Sequence, residues 1–366
     1  MKKLAALLIL LLSCSCIGME NVRVAPDNSG FVLVESGKRF IPWGFNYGHN
    51  DQLLEDFWDS DWHSIERDFD YMHSLGANVV RVHMQVAKFM DGPEKPNVKS
   101  LDRLGQLLKL AERKNLYLDL TGLACYRTAD VPAWYDPLSE HDRWAVQARF
   151  WEAIAERFKG SPAVFCYDLM NEPVVPGGRR EAGKWYSGKP FGGFDFVQFI
   201  TIDQGNRPRE VIASQWIKTL TKAIRKHDER HMITVGLLPW VKGWGFLSGF
   251  VPERVAPDVD FIAVHIYPEA GKPDEAITML KKFSVGKPVV VEETFPLTCS
   301  VDDLRKFLLD SRPIASGWIG HYSGETIDDL TRRDATQPAR IDLWLAWLKL
   351  FRDMTPQMQD GLKTGN

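Results

Sequence analysis

The sequence predicts an α/β protein built as one (β/α)8 (TIM) barrel, and three observations carry that reading. Between residues 42 and 351, eight short apolar, strand-like segments recur, all but one followed by a stretch with apolar residues at helical spacing. Two of these strands end in glutamate, at Glu172 and at the doublet Glu292-Glu293, and barrels take their reactive groups from the tips of several strands. The turn after the first strand, Gly44-Phe45-Asn46-Tyr47-Gly48, lacks the Gly-rich phosphate turn that an open doubly wound sheet would place there.

Met1-Lys2-Lys3 and the apolar run 4–12 read as a secretory signal, too short to anchor in a bilayer. Residues 1–18 are therefore set apart from a barrel domain at 19–366. Leu11-Leu12-Ser13-Cys14 resembles a bacterial lipobox, so a lipid anchor at Cys14 stands beside ordinary cleavage. Either way the protein is expected to be exported, to the periplasm, the medium or the cell surface. Residues 31–35 and 39–42 form a hairpin about Ser36-Gly37-Lys38, and strand 42–46 opens the barrel. Helix 64–75 gathers Ile65, Phe69, Met72 and Leu75 on one face, and Gly76 ends it before strand 78–84. Helix 101–114 precedes strand 116–121, and helix 142–158 precedes strand 163–170. Next come helix 210–227, strands 231–235 and 261–265, helix 274–283, strand 288–292, helix 301–310, strand 316–319 and a closing helix 341–351. Residues 240–255, rich in Gly and aromatics, show no helical pattern. One long irregular stretch, 174–209, follows strand four and holds Trp185, Tyr186, Phe191, Phe194, Phe196 and Phe199. Its place above the mouth makes it an expected wall or cap, with Trp185 or a neighbour stacking on a ligand.

A net charge of −3 without any basic tract argues against nucleic acid or an anionic polymer and favours a neutral ligand. Thirteen Trp suit a sugar binder, since flat rings cover the C–H faces of a pyranose, although most will be core residues. Outside the signal, Cys125, Cys166 and Cys299 are odd in number and lack metal-type spacing, so no disulfide framework is expected.

Asn171-Glu172-Pro173 closes an apolar strand with a candidate proton donor, and Asn171 beside it suits a sugar 2-hydroxyl. Glu292 and Glu293 are adjacent, so strand alternation turns one of them into the mouth and the other away; the residues alone leave open which. Arg81 can hold a carboxylate ionised through charge-assisted hydrogen bonds. His265 and Tyr267 share a face at the sixth strand's tip. Two facing carboxylates, one acid and one nucleophile, are the equipment of a glycoside hydrolase.

In combination, Arg81, Asn171-Glu172-Pro173, His265-x-Tyr267 and Lys287-Pro288-Val289-Val290-Val291-Glu292-Glu293 resemble glycoside hydrolase family 5 across roughly residues 40–351. The resemblance implies a retaining hydrolase that cleaves β-glycosidic bonds in a neutral β-glucan or β-mannan, or in its oligosaccharides. It implies Glu172 as acid/base and Glu293, not Glu292, as nucleophile. Arg81 and Tyr267 would bond the nucleophile, and Asn171 and His265 would position the sugar. No metal or cofactor is implied, and the chain is expected to work as a monomer. Two departures stand out. Many members carry a His at the strand-three tip, where this chain has Asp119-Leu120-Thr121-Gly122, and many carry a late strand-eight Trp as sugar platform. Here the nearest candidate platform is Trp318, within Gly317-Trp318-Ile319-Gly320-His321-Tyr322-Ser323.

Two alternatives compete. A metal-dependent barrel hydrolase would draw on His49, His83, His265 and Asp119, none of them at close ligand spacing. A sugar-binding barrel without catalysis would fit the absent strand-three His, but both glutamates are present.

Overall fold

Eight parallel strands close into a barrel and follow one another around it in chain order. They are β1 (Trp43–Tyr47), β2 (Val79–Gln85), β3 (Tyr117–Ala124), β4 (Val164–Asn171), β5 (Met232–Leu237), β6 (Ile262–His265), β7 (Val289–Glu293) and β8 (Gly317–Tyr322). The computed structural model describes residues 18–188, 190–242, 245–333 and 338–360. Residues 1–17 of the expected signal, Cys14 included, lie outside the described residues.

The helices include α1 (Trp62–Ser74), α2 (Val98–Lys114), α3 (Glu140–Phe158), α4 (Arg209–Arg225), α5 (Pro252–Val255), α6 (Pro273–Lys281), α7 (Val301–Ser311) and α8 (Pro338–Gln359), with further short turns of helix at Leu54–Phe57, Val86–Phe89 and Ile327–Arg332. In α2, Leu101, Leu104, Leu108 and Ala111 recur at helical spacing and are buried, Asn97 caps the Ser100 amide, and Asn115 ends the helix in the left-handed conformation. Among the described residues, the stretch without helical pattern holds the one-turn α5, preceded by a small antiparallel pairing of Val241–Lys242 with Gly245–Phe246. Strands β3 and β8 outrun their expected ends at 121 and 319. The reason is that polar residues at the mouth, the buried Thr121 and the half-buried His321, interrupt the apolar run without ending the strand.

An antiparallel sheet of Val22–Val24, Phe31–Leu33 and Arg39–Phe40 closes the floor. The Phe31 ring meets Phe165 and Phe261 edge-on at 5.4 and 5.2 Å, and Phe40 meets Tyr117 at 4.9 Å. Each such side chain taken from water contributes about 1.5–3 kcal/mol. The hairpin is legible in the sequence, whereas Val22–Val24 is too short to show a period. With an apolar floor, the polar strand-tip residues collect at the opposite, C-terminal end.

The long segment after β4 folds back over that end. Pro173–Val174 pairs in parallel with Gln198–Phe199, and the Phe196 carbonyl accepts from Asn171 Nδ2 at 3.2 Å. Trp185, however, is fully buried. Its indole donates to the Asp136 carbonyl at 2.9 Å, and the Arg143 guanidinium lies 4.3 Å over its ring. Trp185 thus pins the segment to the barrel and is no sugar platform. Phe196, half-buried and against the Tyr126 ring at 4.9 Å, is the aromatic beside Asn171.

Candidate active site

Strand alternation aims several of the polar groups at the mouth inward. On β2, Val79 joins the apolar floor cluster, and Arg81 and His83 follow at the same parity. Arg81 is fully buried and its guanidinium is the hub. Its Nη1 donates to Glu293 Oε1 at 2.6 Å and Asn46 Oδ1 at 2.9 Å. Its Nη2 donates to Asp168 Oδ2 at 2.7 Å and Asn171 Oδ1 at 3.0 Å. Asp168 also accepts from Thr121 Oγ1 and the Gly236 amide, both at 2.8 Å, which satisfies it as a carboxylate. Gly236 has to be glycine, because a Cβ there would lie within 2.9 to 3.0 Å of Glu292 Oε2, His265 Nε2 and Arg81 Nη2.

Glu293 reaches the cleft with two further partners. Tyr267 Oη donates to its Oε2 at 2.6 Å, and His265 Nδ1 stands 3.5 Å from the same oxygen. Burial by itself would raise the Glu293 carboxyl, but the His265 and Arg81 charges, with His321 and the Tyr267 hydrogen bond, outweigh it and hold the group well below the usual carboxylate range. Tyr267 is pushed the other way, by burial and by facing Glu293, so it keeps its proton and donates. His321 Nε2 lies 2.9 Å from that same hydroxyl. Burial drives the His321 imidazole below its ordinary value, so a neutral ring with Nε2–H can donate to Tyr267 Oη and leave the tyrosine O–H to donate to Glu293.

Glu172 ends β4 with a φ of +47°, a left-handed conformation that costs a non-glycine residue about 1–2 kcal/mol. The kink is held by a hydrogen bond from its amide to the Gly236 carbonyl at 2.9 Å. It turns the carboxyl toward β6, where Glu172 Oε1 lies 3.0 Å from His265 Nδ1. One oxygen from each of Glu172 and Glu293 and a nitrogen of His265 all lie within 4.8 Å of one another. Burial opposes charge on His265, but Glu293, Glu172 and Glu292 overcome it and raise the imidazole to about 10.

A pH signature follows. With its folded value raised, His265 contributes stability that is complete below its ordinary 6.5 and is lost as pH rises through about 10. With its folded value depressed, Glu293 contributes stability that is present above its ordinary 4.5 and is lost as pH falls below it. The melting temperature of the native chain should therefore exceed that of Glu293→Gln most between about pH 4.5 and 6.5. The gap should narrow on both sides, and thermal melts across pH will show whether it does; a constant gap would contradict the ion pairing.

Of the seven residues singled out in the sequence, Arg81, Asn171, Glu172, His265, Tyr267 and Glu293 converge on this mouth. Trp318 does not. It is buried, and its indole donates to Ser311 Oγ on α7 at 2.8 Å. Alternation along β8 explains this: Ile319 faces the barrel interior and His321 follows at its parity, while Trp318 and Tyr322 pack with the helix layer. Glu292 needs correction too. It does not turn away from Glu293, because the register with β6 slips so that Val264 pairs with Val291 and His265 with Glu293, leaving Glu292 as the extra residue of a bulge. Both glutamates consequently face inward, Glu292 fully buried at 3.3 Å from His265 Nε2 and Glu293 opening on the cleft. The four residues of the metal alternative do not meet. His49 bonds Asp68 at 2.6 Å, His83 bonds Tyr126 Oη at 2.6 Å, and among the described residues neither belongs to a group spaced to hold an ion. Sequence reasoning passed over Asn46, Tyr126, Asp168 and His321 as site residues. Inward parity from a floor residue could have flagged His321; nothing local marks Tyr126, which lies beyond the strand.

A family model described as cellulase, glycosyl hydrolase family 5, matches residues 36–293. Mannan endo-1,4-beta-mannosidase F of Aspergillus clavatus is 21% identical over 244 residues, 56% of this chain and 48% of that protein. Mannan endo-1,4-beta-mannosidase A of Podospora anserina is 22% identical over 259 residues, 64% of this chain and 53% of that one. The chain spans about half the length of these curated relatives. Among solved structures, the exo-beta-1,4-mannosidase from Opitutaceae bacterium strain TAV5 superposes with a TM-score of 0.67 at 18% identity, over 92% of this chain and 62% of that one, a likeness of fold. With the family model matched from the floor hairpin through the tip of β7, the chain belongs to glycosyl hydrolase family 5, the cellulase family.

Proposed function

We propose that the protein is a retaining glycosidase that hydrolyses β-linked mannosides, as mannan or its oligosaccharides, by double displacement. The observation that carries this reading is the approach of Glu172 and Glu293 oxygens to within 4.8 Å. Retaining pairs stand about 5–5.5 Å apart, whereas inverting pairs need about 6.5–9.5 Å to admit a water between carboxylate and sugar. Glu293, held ionised by Arg81 and Tyr267, attacks the anomeric carbon and forms a glycosyl ester as the glycosidic bond breaks. Glu172 gives its proton to the leaving oxygen. It then takes a proton from the water that breaks the ester, which restores both groups. The names of the Aspergillus, Podospora and Opitutaceae proteins support mannose over glucose. The partner is then a neutral β-linked oligo- or polysaccharide. Proton NMR of the first product from an aryl β-mannoside should show the β anomer; the α anomer appearing first would overturn the mechanism.

Phe196, set beside Asn171 by the segment after β4, is proposed to stack on one sugar of a bound chain. Phe196→Ala should weaken use of mannotetraose about three- to tenfold, from a stacking contribution of about 0.5–1.5 kcal/mol, and leave kcat on an aryl monomannoside little changed. Equal effects on both substrates would assign Phe196 to packing.

A further inference from the structure

We propose that Asp119 and Glu292 form one buried acid pair, Asp119 holding a proton that it donates to Glu292, and that this pair orients His265 and keeps it protonated beside Glu172. The effect on catalysis rests on the acid/base reading of Glu172, whereas the proton on Asp119 does not.

Asp119 on β3, Asp168 on β4 and Glu292 on β7 are all fully buried inside the barrel, and one oxygen from each lies within 4.8 Å of the others. Asp168 has its three donors. Asp119 has no comparable donor: neither of its oxygens, nor Glu292 Oε1, receives a hydrogen bond of good geometry, and the Cys166 thiol that faces Asp119 is a weak donor. Two bare carboxylates so placed would repel at low dielectric and remain unsatisfied. A single proton between them turns that repulsion into a charge-assisted hydrogen bond.

Geometry also decides which residue keeps the proton. Glu292 Oε2 faces His265 Nε2 at 3.3 Å and Arg81 Nη2 at 3.5 Å, two cationic donors. The negative charge therefore belongs on Glu292. In the same sense, burial and the facing charges of Glu292 and Asp168 push the Asp119 carboxyl well up. Burial opposes ionisation of Glu292, but Arg81 and His265 pull it down. The same oxygens are spaced to hold a divalent cation, yet Arg81 Nη2 already supplies positive charge 2.7 Å from Asp168 and 3.5 Å from Glu292.

His265 then has carboxyl oxygens at each nitrogen: Glu292 at Nε2, and Glu172 with Glu293 at Nδ1. An imidazole between acceptors on both sides is satisfied only as the cation. Arg81 on β2 opposes that charge, whereas burial pushes His83 on β2 and His321 on β8 toward the neutral form, and Gly236 of β5, which meets the ring, is uncharged. Glu292 is thus the carboxylate that balances His265 from below. When Glu172 has passed its proton to the leaving oxygen, the imidazolium beside it compensates the new negative charge.

Three measurements on the full chain test the pair. Infrared difference spectra of wild type against Asp119→Asn at neutral pH should show a carboxylic-acid C=O band lost in the variant. Nitrogen-15 NMR of the His265 ring should show both nitrogens protonated at neutral pH in wild type and in Asp119→Asn, whose amide still donates to Glu292. In Glu292→Gln the ring should give up its proton at least about one pH unit lower, and the basic limb of kcat/KM should move down with it. Absence of the band, an unchanged His265 titration in Glu292→Gln, or a stoichiometric divalent cation that survives chelator washing would each overturn the proposal. Because band and titration are read without substrate, they fail or stand separately from the roles of Glu172 and Glu293.

Discussion

Glu293→Ala is expected to lower turnover of an aryl β-mannoside about 10⁴-fold or more, the scale seen when a covalent nucleophile is removed. Added azide should restore part of the activity and yield the α-glycosyl azide, since a small anion in the vacated space attacks once and inverts. The same change leaves Arg81 Nη1 without its partner at 2.6 Å, and breaking a buried pair costs about 3–5 kcal/mol. Three other carboxyl or amide partners, Asp168, Asn46 and Asn171, remain on the guanidinium, so the variant should still fold. Melting curves beside the rates separate lost chemistry from lost structure. Azide products of retained configuration, or rates within tenfold of wild type in a folded variant, would remove Glu293 from the nucleophile's role.

For Glu172→Ala the expected loss depends on the leaving group. Hydrolysis of mannobiose, whose departing alkoxide needs a proton, should fall about 10²–10⁴-fold, the usual range for a positioned general acid. A dinitrophenyl mannoside needs little protonation, so its glycosyl-enzyme should still form and accumulate, with a burst of phenol. Azide should then speed release and give the β-glycosyl azide, with configuration retained. A loss independent of the leaving group would place Glu172 outside proton transfer, in positioning alone. His265 at 3.0 Å is the neighbour such a role would act through.

Much of this site is legible because a barrel strand is an apolar run that stops where its polar tip begins. Glu172 and Glu293 each end such a run, and the position of Arg81 two residues beyond Val79 gives its inward direction by alternation alone. The failures have equally local causes. Trp318 drew attention as an aromatic on the right strand, but it stands one residue out of phase with Ile319 and His321, and one residue is enough to move a side chain from cleft to helix layer. Strict alternation lets only one of Glu292 and Glu293 face the mouth, and a bulge cancels alternation where it occurs. That bulge arises from pairing between β6 and β7, which no local pattern encodes. Trp185 lay in the right segment, yet its burial depends on Asp136 and Arg143, residues about 40 to 50 positions away whose approach only the fold reveals.

The most direct test of double displacement is to trap its intermediate. Incubation with 2-deoxy-2-fluoro-β-mannosyl fluoride should slow breakdown of the ester more than its formation. Intact mass should rise by one fluoromannosyl unit per chain, and peptide sequencing should place that unit on Glu293 and not on its buried neighbour Glu292. No adduct from an enzyme that turns over aryl β-mannosides, or an adduct on any other residue, would contradict the assignment of Glu293 as the nucleophile.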